Sequence, residues 1–387
     1  MRLRAFALLL FWSGILFGCG RVERRVRIVT LTHLTGPQAL FGDGIRTAGA
    51  LALKEQQAAL ENAGWRVELI SYDDRGSAQD LTATATQIAA QTDIACAVVH
   101  TGTAGNMLAI QILHTTGIPT VLPAETAPVP DGFSASGTVW LSPDDRAHGA
   151  GDAEWMAAND YTVVFVLGGS GERAQNIQEG FLRRAEALGL SVTQFQYSAQ
   201  QNPPAWILAL QSASPQLVYY SGSYGSILLP ILVDLEDSGF LGSFFYAESE
   251  AEYRLPERYS SQDIALFFSP ATAHSEDFSR PGQFAEKYRN AYATDPPPLS
   301  ALGFDAVTLC LLPLLGANAA DPSWSSPRAG IIAHWQSAKV WEGVSGVYSF
   351  AGERPCRTWV YAQSEDSTPI WIPALLPDPT ESADPGC

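Results

Sequence analysis

Five short segments of the sequence are rich in small and hydroxyl-bearing residues, four of them with glycine, and each comes directly after a run of apolar residues. Glycine lets the backbone approach a ligand closely, and a hydroxyl group both donates and accepts hydrogen bonds. One such segment is ordinary at the start of a helix, where it caps the first turn. Five of them predict a cleft for a small polar solute, and they span residues 32–37, 101–105, 123–126, 168–171 and 221–225.

Sequence signatures of covalent chemistry are missing. Residues 168–172 (GGSGE) come near the G-x-S-x-G pattern of hydrolases without matching it, and they lack the lysine of a phosphate-binding loop. The histidines and cysteines show none of the spacings that are typical of metal sites. We therefore predict that the protein is not an enzyme and uses no cofactor and no metal.

Two histidines, His33 and His100, each end a predicted strand and are further candidates for the cleft. Imidazole both donates and accepts hydrogen bonds, which suits a ligand contact. A hydrolase that acts on a bound amide would need one of them beside a serine or threonine hydroxyl. The acidic pairs at residues 73–74 and 144–145 also follow strands, and we interpret them as caps and turns.

These segments are positioned by strands and helices that alternate from residue 26 onward. The alternation predicts an α/β protein with two Rossmann-like lobes, each built on a parallel sheet, and a boundary near residues 142–145. The predicted strands are 26–32, 66–72, 94–100, 119–124 and 139–142, then 161–168, 191–197, 217–221, 243–247 and 264–269. The predicted helices are 44–63, 80–90, 105–116, 175–188, 227–238, 283–293 and 300–315.

The last part of the chain shows a different pattern. Residues 346–350 and 358–362 are predicted to form a final strand pair, joined by the turn-like segment 351–355. The proline- and aspartate-rich tail, residues 373–387, is expected to be irregular.

The N-terminus indicates export. Arg2 and Arg4 precede the apolar run 5–16, which is too short to span a membrane and fits the core of a secretory signal. The run ends in LFGC, which resembles the lipobox of bacterial lipoproteins, with Cys19 as the acylated residue. We expect residues 1–19 to be a lipoprotein signal peptide and residues 20–25 a tether to a membrane.

Four further cysteines lie in the exported part, where oxidising conditions permit disulfides. Cys96 and Cys310 stand in apolar runs and look like core residues, which leaves Cys356 and Cys387 as the expected pair. Four cysteines allow three connectivities in all.

The charge of the chain argues against one class of partner. The 40 acidic residues outnumber the 23 basic ones and give a net charge of −17. Nucleic-acid binding needs clustered cations that displace counterions from phosphates, so we expect no nucleic-acid partner.

The sequence resembles the branched-chain amino acid-binding proteins of ABC transporters in residues 26–50 (VRIVTLTHLTGPQALFGDGIRTAGA), 72–74 (YDD), 117–119 (GIP) and 217–222 (LVYYSG). The resemblance implies the type I periplasmic-binding fold, in which two lobes are joined by a three-strand hinge. Lobe 1 would comprise residues 26–142 with 272–337, and lobe 2 residues 143–271 with 338–372. The implied partners are a small solute, an ABC permease and a membrane reached through the lipid anchor.

The resemblance also implies a ligand site, carried over position by position. Thr103 and the Thr126 hydroxyl would bind a ligand carboxylate, and the Ala124 carbonyl would accept from its ammonium group. An aromatic shelf falls on Phe41. In the second lobe an aromatic residue falls on Tyr224 and the carboxylate that pairs with the ammonium falls on Glu248.

Two positions depart from the family pattern. Ser170 stands where the second lobe often has an aromatic residue, and Glu125 places an acid between Ala124 and Thr126. If Glu125 faces the cleft, it repels a carboxylate or favours a more cationic ligand. The sequence thus predicts a solute-binding lipoprotein for an amino acid, with an amide- or urea-type ligand, or a sensory subunit of the same fold, as alternatives.

Overall fold

The computed structural model describes residues 23–101, 106–127, 136–197, 205–222, 228–248, 264–270, 281–338, 340–349, 360–363 and 369–372. The predicted signal peptide with Cys19, residues 20–22 of the predicted tether, Cys356, Cys387 and the predicted tail lie outside these residues. The prediction of a tether that extends to residue 25 is wrong at its end, because Arg24 and Arg25 already belong to the first strand, where they pair with residues 65 and 66. No helix in the described ranges is long and apolar enough to cross a membrane.

The first sheet has five parallel strands in the order β2-β1-β3-β4-β5. Its strands are β1 (Arg24–Thr32), β2 (Trp65–Asp73), β3 (Ile94–His100), β4 (Thr120–Leu122) and β5 (Thr138–Trp140). The intervening helices are α1 (Ala39–Asn62), α2 (Ala78–Ala89) and α3 (Asn106–Thr115).

The second sheet has seven strands in the order β14-β13-β10-β9-β8-β6-β7, parallel from β10 to β7, and its last two strands are β13 (Val360–Gln363) and β14 (Pro369–Ile372). Its first strands are β6 (Val163–Gly168), β7 (Ser191–Gln196), β8 (Leu217–Ser221), β9 (Ser243–Glu248) and β10 (Ala265–Pro270). The helices of this region are α4 (Asp145–Ala158), α5 (Glu172–Ala187), α6 (Ala205–Ala213) and α7 (Leu228–Asp237).

Both sheets are covered by helices on both faces. Successive residues of a strand point to opposite sides of the sheet, so that neighbouring residues pack in different apolar clusters. In β1, Ile28 packs in one apolar cluster and its neighbour Val29 in another. In β6, Phe165 and Val166 divide between two further clusters in the same way. The two parallel-stranded sheets with flanking helices confirm the predicted fold class.

The chain returns to the first sheet with α8 (Pro281–Tyr292), α9 (Ser300–Leu315), a short 3-10 helix (Pro322–Trp324) and α10 (Pro327–Ser337). Helix α9 is buried on nearly all sides and mostly apolar, as expected of a helix in a core. Its residues Phe304, Val307 and Leu311 pack in the same cluster as Ile45 and Ala48 of α1.

The predicted pairing of the last two strands is wrong. The strand β12 (Val347–Ser349) pairs antiparallel with β11 (Val340–Glu342), in a separate two-stranded sheet. The strand β13 (Val360–Gln363) instead pairs antiparallel with β10 and with β14 (Pro369–Ile372). Apolar alternation identified strand-like segments, but it carries no information on which partner each strand takes.

A disulfide joins Cys96 of β3 to Cys310 of α9, with their Cα atoms 5.8 Å apart. The interpretation of these two residues as unpaired core residues is therefore wrong. Both are indeed fully buried, within the apolar cluster between the first sheet and α9. Because they lie 214 residues apart, their proximity depends on the return of the chain to the first sheet.

Helices α4 and α5 pack unusually closely, and two glycines make this contact possible. A Cβ atom added to Gly149 would lie 1.9 Å from the Ile177 carbonyl oxygen, and one added to Gly180 would lie 2.0 Å from the Arg146 carbonyl oxygen. This contact packs the first two turns of α4 against the middle of α5.

Candidate functional site

The carboxyl ends of β1 and β2 hold a buried histidine–aspartate pair. Nδ1 of His33 lies 2.7 Å from Oδ1 of Asp74, and the backbone N–H of Gly76 donates to the same oxygen at 3.0 Å. His33 exposes 3% of its surface and Asp74 none. Because a carboxylate only accepts, we assign the Nδ1–H tautomer to His33, which leaves Nε2 as an acceptor in the neutral ring.

His100 lies beside this pair at the end of β3. Its position is opposite Thr32 in the register of β1 and β3. Burial, with a smaller contribution from the nearby His33, lowers the pKa of His100 to about 4, so that His100 is neutral at physiological pH. The two candidate histidines are therefore close neighbours at one edge of the first sheet.

Phe41 lies in the first turn of α1 and is half-buried. The next residue, Gly42, packs directly on the end of β1, since an added Cβ atom would lie 1.7 Å from the His33 carbonyl oxygen. The absence of a side chain at residue 42 thus sets Phe41 beside the His33 segment, at the edge where parallel sheets bind ligands.

The segment after β4 carries Ala124, Glu125 and Thr126. Ala124 is half-buried against the first core. Oε1 of Glu125 accepts from the backbone N–H of Ala127 at 2.9 Å, and the Ser142 hydroxyl donates to the Glu125 carbonyl at 3.1 Å. The Glu125 side chain thus stabilises its own loop and exposes only 8% of its surface.

Arg173, in the first turn of α5, was not identified from the sequence. Its guanidinium group donates to the Thr126 hydroxyl and lies 2.8 Å from Oδ1 of Asp145. Burial raises the pKa of Asp145 to about 6, although the positive charge of Arg173 acts in the opposite direction. Arg173 therefore connects an element of the second sheet to a predicted ligand residue of the first.

The sequence offered one signal for Arg173. It follows the Gly168–Gly171 turn and opens a helix, and first turns of helices at strand ends face the ligand edge of α/β sheets. Our sequence interpretation placed the corresponding second-lobe position at Ser170. Ser170 is exposed.

Of the three other predicted ligand residues, the structure describes only Glu248, and of this residue only the backbone. Glu248 is the last residue of β9 and pairs with Pro270, one position beyond the Ala247–Ser221 pair of β8 and β9. Its backbone thus ends at the same edge as β8, where the segment that contains Tyr224 begins. Thr103 and Tyr224 lie outside the described residues.

A second histidine cluster is buried beneath α4. Nε2 of His148 lies 2.8 Å from the Ser269 carbonyl oxygen and 2.7 Å from its hydroxyl, and that hydroxyl donates to Asp152. Tyr219 donates to the same aspartate at 2.8 Å. His148, Asp152 and Ser269 are fully buried.

This cluster is not arranged for hydrolysis, although it contains a serine, a histidine and an aspartate. An Nε2–H that donates to a main-chain carbonyl cannot take the proton of the serine hydroxyl, as a general base must. Burial also lowers the pKa of His148 to about 3. The residue is fully buried, so that a solute cannot contact its side chain. The two cleft candidates, His33 and His100, show no hydrogen bond to a serine or threonine hydroxyl among the described side chains.

Asp73, Asp74 and Asp144 of the two acidic pairs form caps and turns, as the sequence indicated, whereas Asp145 pairs with Arg173. Asp144 caps α4 by accepting from the backbone N–H of Ala147 at 2.7 Å. Asp73 accepts from the backbone N–H groups of Leu34 and Arg75. Within the described ranges, no group of three or more histidine, cysteine or acidic side chains could hold a metal ion.

Solved structures of solute-binding proteins resemble this fold over most of its length. A protein from Rhodospirillum rubrum ascribed to branched-chain amino acid ABC transport is 20% identical, with a TM-score of 0.75 over 90% of this chain and 100% of its own. A leucine-binding protein from Thermotoga maritima is 22% identical, with a TM-score of 0.65 over 90% and 97%. A solute-binding protein from R. palustris in complex with benzoate is 15% identical, with a TM-score of 0.62 over 90% and 96%.

The sequence itself was compared with protein families and with curated proteins. No curated protein matched it. Residues 25–363, which include the first sheet and all strands of the second sheet except β14, match the family described as periplasmic binding protein. A match of this extent confirms the resemblance to the binding proteins of ABC transporters, and it implies a location outside the cytoplasm. The chain belongs to the periplasmic binding protein family.

Proposed function

We propose that this protein is the solute-binding lipoprotein of an ABC uptake system and captures a small polar solute, an amino acid or a relative of one, between two closing lobes. The observation that carries the proposal is the contact from Arg173 to Thr126. It joins the ligand edge of one sheet to the ligand edge of the other, as closure around a solute requires. Fold alone leaves the solute open, because relatives of this fold bind leucine or benzoate.

In this proposal the ligand site follows the residues carried over from the family. Thr103 and Thr126 bind the carboxylate, the Ala124 carbonyl and Glu248 bind the ammonium group, and Phe41 and Tyr224 flank the side chain. A zwitterion is matched by hydroxyl donors on one wall and a carboxylate on the other. The position of Thr126 beside Arg173 supports an anion-binding role for this corner of the cleft.

The remaining parts of the proposal concern the whole chain. Lobe 1 comprises residues 26–142 with 272–337 and lobe 2 comprises 143–271 with 338–372. Cys19 carries the lipid that holds the receptor at the membrane, where the closed form docks on the permease. The protein performs no covalent chemistry.

Replacing Glu248 with alanine is expected to weaken the binding of an amino acid ligand by roughly tenfold or more, because the ligand ammonium group loses its charged partner. Isothermal titration calorimetry on the wild type and the variant measures the change. Glu179 provides a matched control, since it is an exposed acid of the same lobe that pairs with Arg146 on the surface. Equal affinities of the wild type, E248A and E179A would remove Glu248 from the site.

A further inference from the structure

We propose that His33, oriented by Asp74, is a second recognition point in the first lobe and binds an N–H group of the solute, so that the preferred ligand is an amino acid with a carboxamide or ureido side chain. The inference rests on the proposed function, since it presupposes a solute in the cleft. It goes further because it names the chemistry of the ligand side chain, which is the part that differs between amino acids.

Four buried polar atoms at the ends of three adjacent strands carry the inference. They have no hydrogen-bond partner within the described part of the chain, and they are Oγ1 of Thr32, Nε2 of His33, Oδ2 of Asp74 and Oγ1 of Thr101. All four residues are at least nine-tenths buried. Buried polar side-chain atoms are nearly always hydrogen-bonded, so a cluster of four requires a partner.

The strand register places these four residues at the ends of neighbouring strands. Thr32 ends β1 and is paired with Asp73 of β2 on one side and with His100 of β3 on the other. His33, Asp74 and Thr101 each follow directly after these three residues. The cluster therefore lies at the carboxyl edge of the sheet, at the strand end on which the first turn of α1 packs.

The chemistry of the cluster selects the partner. Oδ2 of Asp74 accepts, and in the His33 tautomer that donates Nδ1–H to Asp74 the second ring nitrogen, Nε2, accepts as well. The neighbouring His100 is neutral and the two threonine hydroxyls adapt to either role. The missing partner must consequently supply donors, which an amide or ureido N–H does and an alkyl or carboxylate side chain does not.

The expected selectivity is large. An aliphatic ligand would displace water from these acceptors and return no hydrogen bond, and a site built to bind an N–H group discriminates strongly against an analogue that lacks it. We expect L-asparagine to bind at least tenfold more tightly than L-leucine, which has nearly the same shape, and more tightly than L-aspartate.

The experiment is a calorimetric titration of the full chain with L-asparagine, L-leucine, L-aspartate, L-glutamine and L-citrulline. The same titrations on His33→Leu should show that the preference for the amide or ureido ligands is lost. His114→Leu is the matched control, because His114 is a partly buried histidine of the same lobe that bonds to Thr138. It should keep the preference of the wild type. Asp74→Asn, which exchanges an acceptor for a donor at constant shape, serves if His33→Leu does not fold.

Tighter binding of leucine or aspartate than of asparagine by the wild type would overturn the inference and leave the proposed function intact. An unchanged preference in both the His33 and Asp74 variants would also overturn it, and would assign the cluster to an ordered water. If no solute of any class binds, the proposed function itself fails.

Discussion

Replacing Cys96 and Cys310 together with alanine is expected to lower the free energy of unfolding by about 5 kcal/mol. The disulfide closes a loop across a sequence separation of 214 residues, and longer loops lose more conformational entropy in the unfolded chain when they are closed. Both residues are also fully buried, so that the variant loses packing around β3 and α9 in addition. Urea denaturation of the wild type and the variant under non-reducing conditions measures the difference.

Val98→Ala provides the control for packing, because Val98 lies in the same strand and the same apolar cluster as Cys96. Its loss should be clearly smaller than that of the double cysteine variant. Thiol labelling in denaturant tests the bond itself, since Cys96 and Cys310 should stay unlabelled until a reductant is added. Labelling of both residues without a reductant, or equal stabilities of the double variant and Val98→Ala, would contradict the prediction.

Replacing Asp305 with asparagine should change how stability depends on pH. Asp305 of α9 accepts from the backbone N–H groups of Val344 at 2.9 Å and Ser345 at 2.7 Å, and from the Ser345 hydroxyl. These bonds fix the segment between α10 and β12 to the first lobe. Burial nevertheless raises the pKa of Asp305 to about 7, because removal from water penalises the charged form more than these donors favour it.

The direction of the effect follows from this raised pKa. Between about pH 4 and pH 7 the folded protein keeps a proton on Asp305 that the unfolded chain releases, so the contribution of this residue to stability falls as the pH rises. Asparagine does not titrate. Relative to the wild type, Asp305→Asn should therefore become more stable by roughly 3 kcal/mol, as an order of magnitude, between about pH 5 and pH 8.

Denaturation curves of both proteins at a series of pH values test this expectation. Asp295→Asn is the control, because Asp295 is exposed on the surface beside Arg289 and should leave the pH dependence nearly unchanged. A stability difference between the wild type and Asp305→Asn that stays constant from pH 5 to pH 8 would show that Asp305 does not titrate in this range.

Strands β3, β6 and β8 were predictable because their residues are buried on both faces and form short apolar runs. Helix α4 was not predicted, and its sequence explains why. It buries His148, Asp152 and Gly149, which look like surface or turn residues in a sequence. They are buried only because Ser269 and Tyr219 supply hydrogen bonds from β10 and β8, and because Gly149 admits α5. These compensating contacts come from residues that are distant in the sequence, so that no local sequence pattern predicts them.

The same limit applies to contacts between distant segments. Cys96 and Cys310 each lie in an apolar run that is compatible with an unpaired core residue, and only the return of α9 to the first sheet brings them together. The partners of β12 and β13 likewise depend on the positions of two separate sheets.

The candidate site was predictable where it depends on strand ends. His33 and His100 were placed there by the alternation of strands and helices, and the structure brings them together. The reach of a side chain across the cleft was not predictable. Arg173 contacts Thr126 because a long, flexible guanidinium side chain starts from a rigid first helical turn, and sequence spacing does not determine where such a side chain ends.

The central claim, that this receptor binds a small polar solute between its two lobes, is tested most directly by a thermal-shift measurement against amino acids, amides and urea. A ligand that binds only the folded protein stabilises it by about 2.7 kcal/mol at a hundredfold excess over its Kd. We predict a saturable rise in Tm with at least one chemically related group of these solutes. An unchanged Tm with every one of them at millimolar concentration would contradict the account.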